Sequence, residues 1–199
     1  MDSAEQIREA ATHLFACHGY DGASLAAIAE RVGVTKQTLL YHYPSKDVLR
    51  RAVLDGVFAH FRERLPQMLE AVTSGHGRFE ALTRELLDFF EADHARAILM
   101  VRELMDNPEL MQKLLSENLR PWILLVAQYI REGQRGGLIY EDVDPEAYVL
   151  NVILMVLSSI SARPIAESLL GAEPLCREDR PSRQLDELMR MTRMSLFKR

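Results

Sequence analysis

The sequence predicts an all-α protein in which an N-terminal three-helix helix-turn-helix domain is joined by a long helix to a C-terminal helical bundle that dimerises. Three observations support this prediction. Two short capped helices flank a glycine turn between residues 24 and 46, an apolar stripe at helical spacing follows them, and residues 145–162 are almost wholly apolar. Glycine and proline are few, and apolar residues make up 48% of the 199 residues, which is typical of an ordered globular chain.

The first helix is predicted to run from Ser3 to His18 and to stop at Gly19. Its apolar positions recur at i, i+3, i+4, i+7 and i+8, so one face should pack on the helices that follow. Cys17 lies on this apolar side and is expected in the core. Tyr20 is expected to fill the space between the first helix and the next two.

The second and third helices are marked by their caps. Ser24 can accept a hydrogen bond from the free N–H groups that open a helix, and Gly33 tolerates the left-handed backbone that ends one. Thr35 is a second N-cap, and Pro44 ends the third helix. Polar residues lead the third helix, and this is the end that enters the major groove in a helix-turn-helix.

Two packed helices of an ordinary helical domain would show the same spacing. Local charge favours contact with DNA, because residues 35–51 hold Lys36, Lys46, Arg50 and Arg51 against Asp47 alone. The whole chain has a net charge of −5, so this stretch is opposite in sign to the rest. A phosphate backbone attracts such a patch.

Several short runs in this region carry a family resemblance in one register: Gly19-Tyr20, Ser24-Leu25, Ile28-Ala29, Val32-Gly33-Val34, Thr38-Leu39 and His42-Tyr43-Pro44-Ser45-Lys46. Together they resemble the DNA-binding domain of the TetR family of bacterial transcriptional regulators. The resemblance implies a homodimeric regulator, most often a repressor, on a palindromic operator of double-stranded DNA. It also implies a helical C-terminal domain that dimerises and usually binds a small effector.

Two departures from the family pattern shift the expected contacts. The family commonly has a tyrosine after the Thr-Leu pair, where this chain has Leu40, and Ala26 and Ala27 replace residues that are often charged. We therefore expect specificity to depend on the third helix, with Gln37 on a base edge. The predicted DNA-contacting residues are Ser24, Thr35, Lys36, Gln37, Thr38, Tyr41, His42 and Lys46.

The predicted domain boundary separates residues 1–47, the DNA-binding domain, from residues 48–199, the ligand-binding and dimerisation domain. A long helix begins after Ser45 and should continue to Ala71, with a kink or interruption at Pro66. A glycine-containing loop at 73–77 follows, then helices over 78–93 and 95–105. Any movement in the C-terminal domain must reach the DNA partly through the long helix.

The remaining helices are predicted over 109–133, 145–162, 165–170 and from Ser182 onward. Pro121 should bend the first of these, and Asp144-Pro145 is a well-formed helix start. The 145–162 helix is expected to be buried on all sides, by its own domain and by a second subunit. Its serines and asparagine argue against membrane insertion.

A small, largely apolar effector is expected in a pocket lined by Phe61, Leu65, Phe90, Arg102, Met105, Trp122, Asn151 and Met155. For Arg102 the alternatives are a surface ion pair and contact with an anionic ligand. The two terminal helices carry more apolar surface than one small domain needs, which predicts a four-helix dimer interface. The interface is predicted to contain Tyr148, Val152, Ser159, Leu185, Leu188 and Thr192.

Other classes of function have little support. No catalytic constellation, Cys-x-x-Cys pair or His-Glu-x-x-His pattern is present, so we expect no enzyme activity, cofactor or metal. A regulator without an effector remains an alternative that an apolar cavity would count against. The N-terminus lacks the apolar run of a signal peptide, so a cytoplasmic protein is expected. Cys176, in a polar loop, is either inert or a redox sensor.

Overall fold

A computed structural model describes residues 2–71, 75–170 and 183–198, except for the side chains at 65, 68–71, 75 and 76. The described chain is helical, which confirms the predicted class, and one antiparallel bridge joins Ile139 to Phe197. The helices are α1 (Ser3–Gly22), α2 (Leu25–Val32), α3 (Lys36–His42), α4 (Lys46–Ala71), α5 (Gly75–Glu91), α6 (His94–Asp106), α7 (Pro108–Asn118), α8 (Arg120–Arg135), α9 (Pro145–Ser161), α10 (Arg163–Leu169) and α11 (Arg183–Leu196).

Helix α1 is broken where the sequence predicts its end. Gly19 has φ 74° and ψ 172°, a conformation that a residue with a side chain rarely adopts, and one further turn follows. On the inner face of α1, Ile7, Ala11 and Phe15 are fully buried, as the apolar spacing predicts. Cys17 is exposed, so its predicted core position is wrong; its neighbour Ala16 faces the core at this turn.

The predicted helix over 109–133 is two helices, which is a correction. Helix α7 ends at Asn118, Leu119 links the two, and Pro121 lies in the first turn of α8. Proline is tolerated there because the first-turn N–H groups have no partner within the helix. Helix α4, by contrast, continues past Pro66 to Ala71 without interruption.

Helix α6 is the centre of the packing. It contacts α1 of the N-terminal unit (α1–α3) on one side and α5, α7 and α9 on the other. The buried core runs without a gap from Ile7 in α1 to Leu188 in α11. The N-terminal unit and the C-terminal helices therefore share one hydrophobic core. A shift of α6 would change the packing of both.

Candidate functional site: a helix-turn-helix and an apolar cavity

The helix-turn-helix has the caps that the sequence predicts. Ser24 Oγ accepts from the N–H of Ala27 at 3.1 Å, and Thr35 Oγ1 accepts from the N–H of Thr38 at 3.1 Å. Gly33, between the two helices, has φ 78° and ψ 27°, the left-handed conformation of a helix C-cap. The turn is thus set by hydrogen bonds between neighbouring residues.

Helix α3 buries Leu39 and presents the opposite side to solvent. Lys36 and Gln37 are exposed at its N-terminal end, and Tyr41 is 84% exposed. Thr38 and His42 are half-buried, and the Thr38 hydroxyl pairs with that of Thr35 at 2.9 Å. None of the predicted DNA-contacting residues of α3 is therefore buried, and Lys36, Gln37 and Tyr41 are the most exposed of them.

The local charge around α3 is smaller than the sequence indicates. Arg50 is 7% exposed and forms a bidentate ion pair with Glu103 of α6, which is 1% exposed. Its Nε donates to both carboxylate oxygens, at 3.0 and 2.9 Å. Arg50 is thus removed from the basic patch, and Arg51 is paired with Asp55.

This buried ion pair is the centre of a junction between α1, α4 and α6. The ring of Tyr20 lies 4.3 Å from the Arg50 guanidinium and 4.4 Å from Lys46 Nζ, and its hydroxyl donates to Asp47 at 2.5 Å. Burial and that hydrogen bond raise the pKa of Tyr20 to about 12. Sequence reasoning missed Glu103, because its partner lies 53 residues away.

Arg102, the neighbour of Glu103, makes a second contact across the same junction. A Cβ atom placed on Gly19 would lie 3.3 Å from Arg102 Nη1, so the guanidinium packs directly over the glycine of α1. Its Nε is buried and has no hydrogen-bond partner among the described residues. Two consecutive residues of α6 therefore hold α1 and α4 respectively.

The C-terminal helices enclose a cavity of about 160 Å³. It lies between α4, α5, α6, α7, α8 and α9, and none of the described residues that line it is charged. Met100 and Leu104 of α6 form part of its wall. Helix α6 thus borders the cavity on one face and holds α1 and α4, through Arg102 and Glu103, on another.

Comparison with known proteins identifies the group to which this fold and helix-turn-helix belong. Residues 7–53 match the family model described as "Bacterial regulatory proteins, tetR family". The HTH-type transcriptional regulator UidR of Escherichia coli (strain K12) is 26% identical over 183 residues, which cover 85% of this chain and 87% of UidR. Residues 7–53 form a TetR-family DNA-binding domain. The chain is a DNA-binding transcriptional regulator, and regulators of the TetR family are not enzymes.

Two solved structures of other proteins have the same fold. FadR from Bacillus subtilis in complex with stearoyl-CoA is 17% identical, with a TM-score of 0.72 and coverage of 96% of this chain and 95% of FadR. AibR in complex with isovaleryl coenzyme A and operator DNA is also 17% identical, with a TM-score of 0.72 and coverage of 97% of both chains. At this identity the likeness concerns the fold.

Only some of the predicted effector residues line the cavity. Phe61, Phe90 and Trp122 line it. Arg102 instead packs on α1, which corrects that prediction, and the side chain of Leu65 is outside the described part of the structure, as is Cys176. The sequence did not predict several other residues that line the cavity, among them Leu82, Thr83, Asn118 and Val126.

The two faces of α9 are exchanged relative to the prediction. Met105 is 78% exposed and shares an open surface groove with Asn151 and Met155, so these three predicted effector residues lie outside the cavity. Tyr148 and Val152, predicted for the dimer interface, line the cavity, and both also border this groove. Helix α9 thus turns Val152, Val156, Leu157 and Ile160 toward the core, whereas its exposed side carries Leu150, Leu154 and Met155 as well as polar residues.

The predicted interface residues of α11 are also corrected. Leu185, Leu188 and Thr192 are buried within their own subunit, so they cannot meet a partner, whereas Met191 and Met194 are exposed. Ser159 is half-buried beside Gln184. Among the described residues no single helix is long and apolar enough to cross a membrane, although α9 and α10 together, bent by 75°, pass on length and composition.

Proposed function

We propose that this chain is a homodimeric repressor that binds a palindromic operator and is released from it by a small, largely apolar effector. Residues 1–47 act as the DNA-binding domain and residues 48–199 as the effector-binding and dimerisation domain. The observation that carries the proposal is the position of α6, which walls the apolar cavity with Met100 and Leu104 and holds α4 and α1 through Glu103 and Arg102.

The mechanism follows from the geometry of a dimer on DNA. Two recognition helices must lie roughly 34–36 Å apart to enter successive major grooves on one side of the duplex. An effector that shifts α6 also shifts α4 through Arg50 and Glu103, and α4 leads directly back to α3. To reverse operator occupancy from 99:1 to 1:99, the effector must prefer the released state by about 5.5 kcal/mol.

At the DNA, the exposed N-terminal end of α3 supplies the specific contacts. Gln37 reads a base edge and Lys36 contacts a base or a phosphate, because both project into solvent at the end that enters the groove. Thr38, whose hydroxyl is engaged with Thr35, presents its methyl group to a thymine. Ser24, Thr35, Tyr41, His42 and Lys46 lie around this surface and position the backbone phosphates.

The dimer interface is proposed on the outward face of α9 and on α11. Leu150, Leu154, Met191 and Met194 are exposed there, and adjoining exposed apolar residues mark association surfaces in soluble proteins. Met191→Asp should therefore yield monomers in sedimentation velocity, with operator affinity lost, and Met191 does not line the cavity. Leu124→Asp, at an exposed apolar residue on α8, is the control and should remain dimeric.

The effector proposed for the cavity contains a hydrocarbon moiety. The wholly uncharged lining supports this, and the complexes of FadR with stearoyl-CoA and of AibR with isovaleryl coenzyme A suggest an acyl thioester. Since the protein acts on operator DNA, we place its action in the cytoplasm. Binding-site selection on random DNA, followed by a screen of acyl compounds for loss of binding, tests the whole scheme.

Val126→Phe gives that screen a structural control. The larger side chain should fill part of the cavity, which Val126 lines, and leave the distant α3 surface unchanged. This variant should bind the selected operator with wild-type affinity and require a higher effector concentration for release. Unchanged release by the same compounds would show that the effector binds elsewhere.

A further inference from the structure

The polar groups that border the cavity are almost all engaged already. The Thr83 hydroxyl donates to the carbonyl of Phe79 at 2.9 Å, and the Tyr148 hydroxyl donates to the carbonyl of Thr192. Trp122 has the one remaining side-chain donor in the described lining, since its indole N–H has no hydrogen-bond partner among the described residues. Polar ligand atoms in the interior would thus lose their hydrogen bonds to water without replacement, which is costly. The interior therefore suits a hydrocarbon.

The volume of the cavity limits the length of that hydrocarbon. An engineered protein cavity of about 150 Å³ lined by apolar side chains binds benzene, which has six carbon atoms. The cavity here has about 160 Å³, so it accommodates a tail of about six carbon atoms without rearrangement. A longer chain would have to displace side chains of a packed core or extend into solvent.

Arg62 lies beside one polar residue of the cavity wall. Asn118, the last residue of α7, lines the cavity and is half-buried, and its Oδ1 accepts a hydrogen bond from Arg62 Nη1 of α4. Its Nδ2 donates to the carbonyl of Leu114 at 2.9 Å. Trp122, four residues further along the chain in α8, lines the same cavity. A cationic group thus sits where the apolar wall meets solvent.

Arg62 differs from neighbouring arginines of the same helix in its partner. Arg51 lies 3.8 Å from an oxygen of Asp55, and Arg64 lies 3.2 Å from one of Glu85. Arg62 is exposed and bonds a neutral amide, and among the described residues no carboxylate oxygen is within 4.0 Å of it. Its positive charge therefore remains available to an anion at the edge of the cavity.

We propose that Arg62 and Asn118 form the head-group site of the cavity, and that the ligand is an amphiphile with a hydrocarbon tail of about six carbon atoms and an anionic head. The tail occupies the cavity, and the head replaces Asn118 as the acceptor for Arg62. The inference rests on the proposed function in that it places the effector in the cavity. A carboxylate and the phosphates of coenzyme A share the required chemistry.

The test uses Trp122, which is the single tryptophan of the chain and lines the cavity. Its fluorescence in the full-length protein reports occupancy without DNA. The probes are hexanoate, hexanoyl-CoA, 1-hexanol and coenzyme A alone, with palmitoyl-CoA for tail length. The variant is Arg62→Met, which keeps the aliphatic stem and removes the charge, and the matched control is Arg64→Met on the same helix.

We expect Arg62→Met to lower the affinity for whichever anionic probe binds by roughly tenfold or more, because a charge-assisted hydrogen bond is lost. The affinity for 1-hexanol should not change. Arg64→Met should change neither. A preference for hexanoate indicates a carboxylate ligand, and a preference for hexanoyl-CoA over hexanoate and coenzyme A indicates a thioester. The inference is overturned if the ratio of the affinity for the anionic probe to that for 1-hexanol is the same in Arg62→Met as in wild type. It is also overturned if palmitoyl-CoA binds more tightly than hexanoyl-CoA.

The readouts separate this inference from the proposed function. Binding with the expected Arg62 dependence but without release of the operator refutes effector control and leaves the head-group site intact. Operator release by these compounds with equal affinity in wild type and Arg62→Met refutes the head-group site alone. Absence of any change in Trp122 fluorescence with every probe refutes this inference, and operator release would then have to come from ligands of another class.

Discussion

Removal of the charge from Glu103 tests whether the buried ion pair holds α4 against α6. Glu103→Gln keeps the shape of the side chain and one acceptor oxygen but leaves the Arg50 guanidinium buried without a counter-charge. Loss of one partner of a buried ion pair costs about 3–5 kcal/mol. Because the remaining amide oxygen still accepts from Arg50 and the Tyr20 ring still covers it, we expect about 3 kcal/mol, at the lower end.

Urea unfolding followed by circular dichroism measures this loss. With a slope of about 2 kcal/mol per M, a destabilisation of about 3 kcal/mol lowers the midpoint by about 1.5 M. All variants must be compared at one protein concentration, since association changes apparent stability. The side-chain amide of Asn107 also contacts Arg50, and its oxygen, when it faces the guanidinium, accepts from Arg50 Nη1 at 3.0 Å. Asn107 is therefore left unchanged in every variant.

Two further variants make the result interpretable. Glu146→Gln breaks an ion pair to Arg131 that also joins two helices but is solvent-exposed, so it should cost under about 1 kcal/mol. Arg50→Met combined with Glu103→Leu replaces the buried pair by apolar groups and should recover most of the lost stability. If Glu103→Gln cost no more than Glu146→Gln, the ion pair would not be what holds the two helices together.

Three other predictions concern the helix-turn-helix and its junction. Gln37→Ala should relax preference at one base pair of the selected operator, whereas Lys46→Ala should weaken binding to all sequences and lower the salt slope by about one; equal losses on operator and random DNA for Gln37→Ala would refute its role. Gly33→Ala should cost about 1 kcal/mol in urea unfolding, because φ is 78° at this residue. Since the pKa of Tyr20 is about 12 when folded and about 10 when unfolded, stability should fall as pH rises from 10 to 12, and Tyr20→Phe should flatten that fall; an identical pH profile for the two proteins would contradict the assignment.

The N-terminal unit shows how far local sequence information reaches. The caps at Ser24 and Thr35 and the turn at Gly33 involve residues only three to five positions apart, so the sequence contains both partners of each contact. The cap at Asp144, which accepts from the N–H groups of Glu146 and Ala147, is of the same kind. Helix boundaries and the exposed end of α3 were therefore predictable.

The identity of the cavity residues was only partly predictable. Helix α9 is apolar around most of its circumference, so its sequence contains no strong preference for which face turns inward, and the cavity and interface faces were exchanged. Helix α11 has a clear apolar stripe, but a stripe does not say whether it packs on its own subunit or on a partner. Leu185 and Leu188 pack within the subunit, and Met191 remains exposed.

The sequence by itself determined the helical class, the helix-turn-helix and the family, because those features depend on spacing, caps and short matches within about fifty residues. Only the tertiary structure decided which of two adjacent arginines, Arg50 or Arg51, is buried. It did so because the carboxylate of Glu103 comes from another helix, 53 residues further along the chain. The cavity and the Arg62 contact at its edge have the same origin, since both arise from helices that only packing brings together.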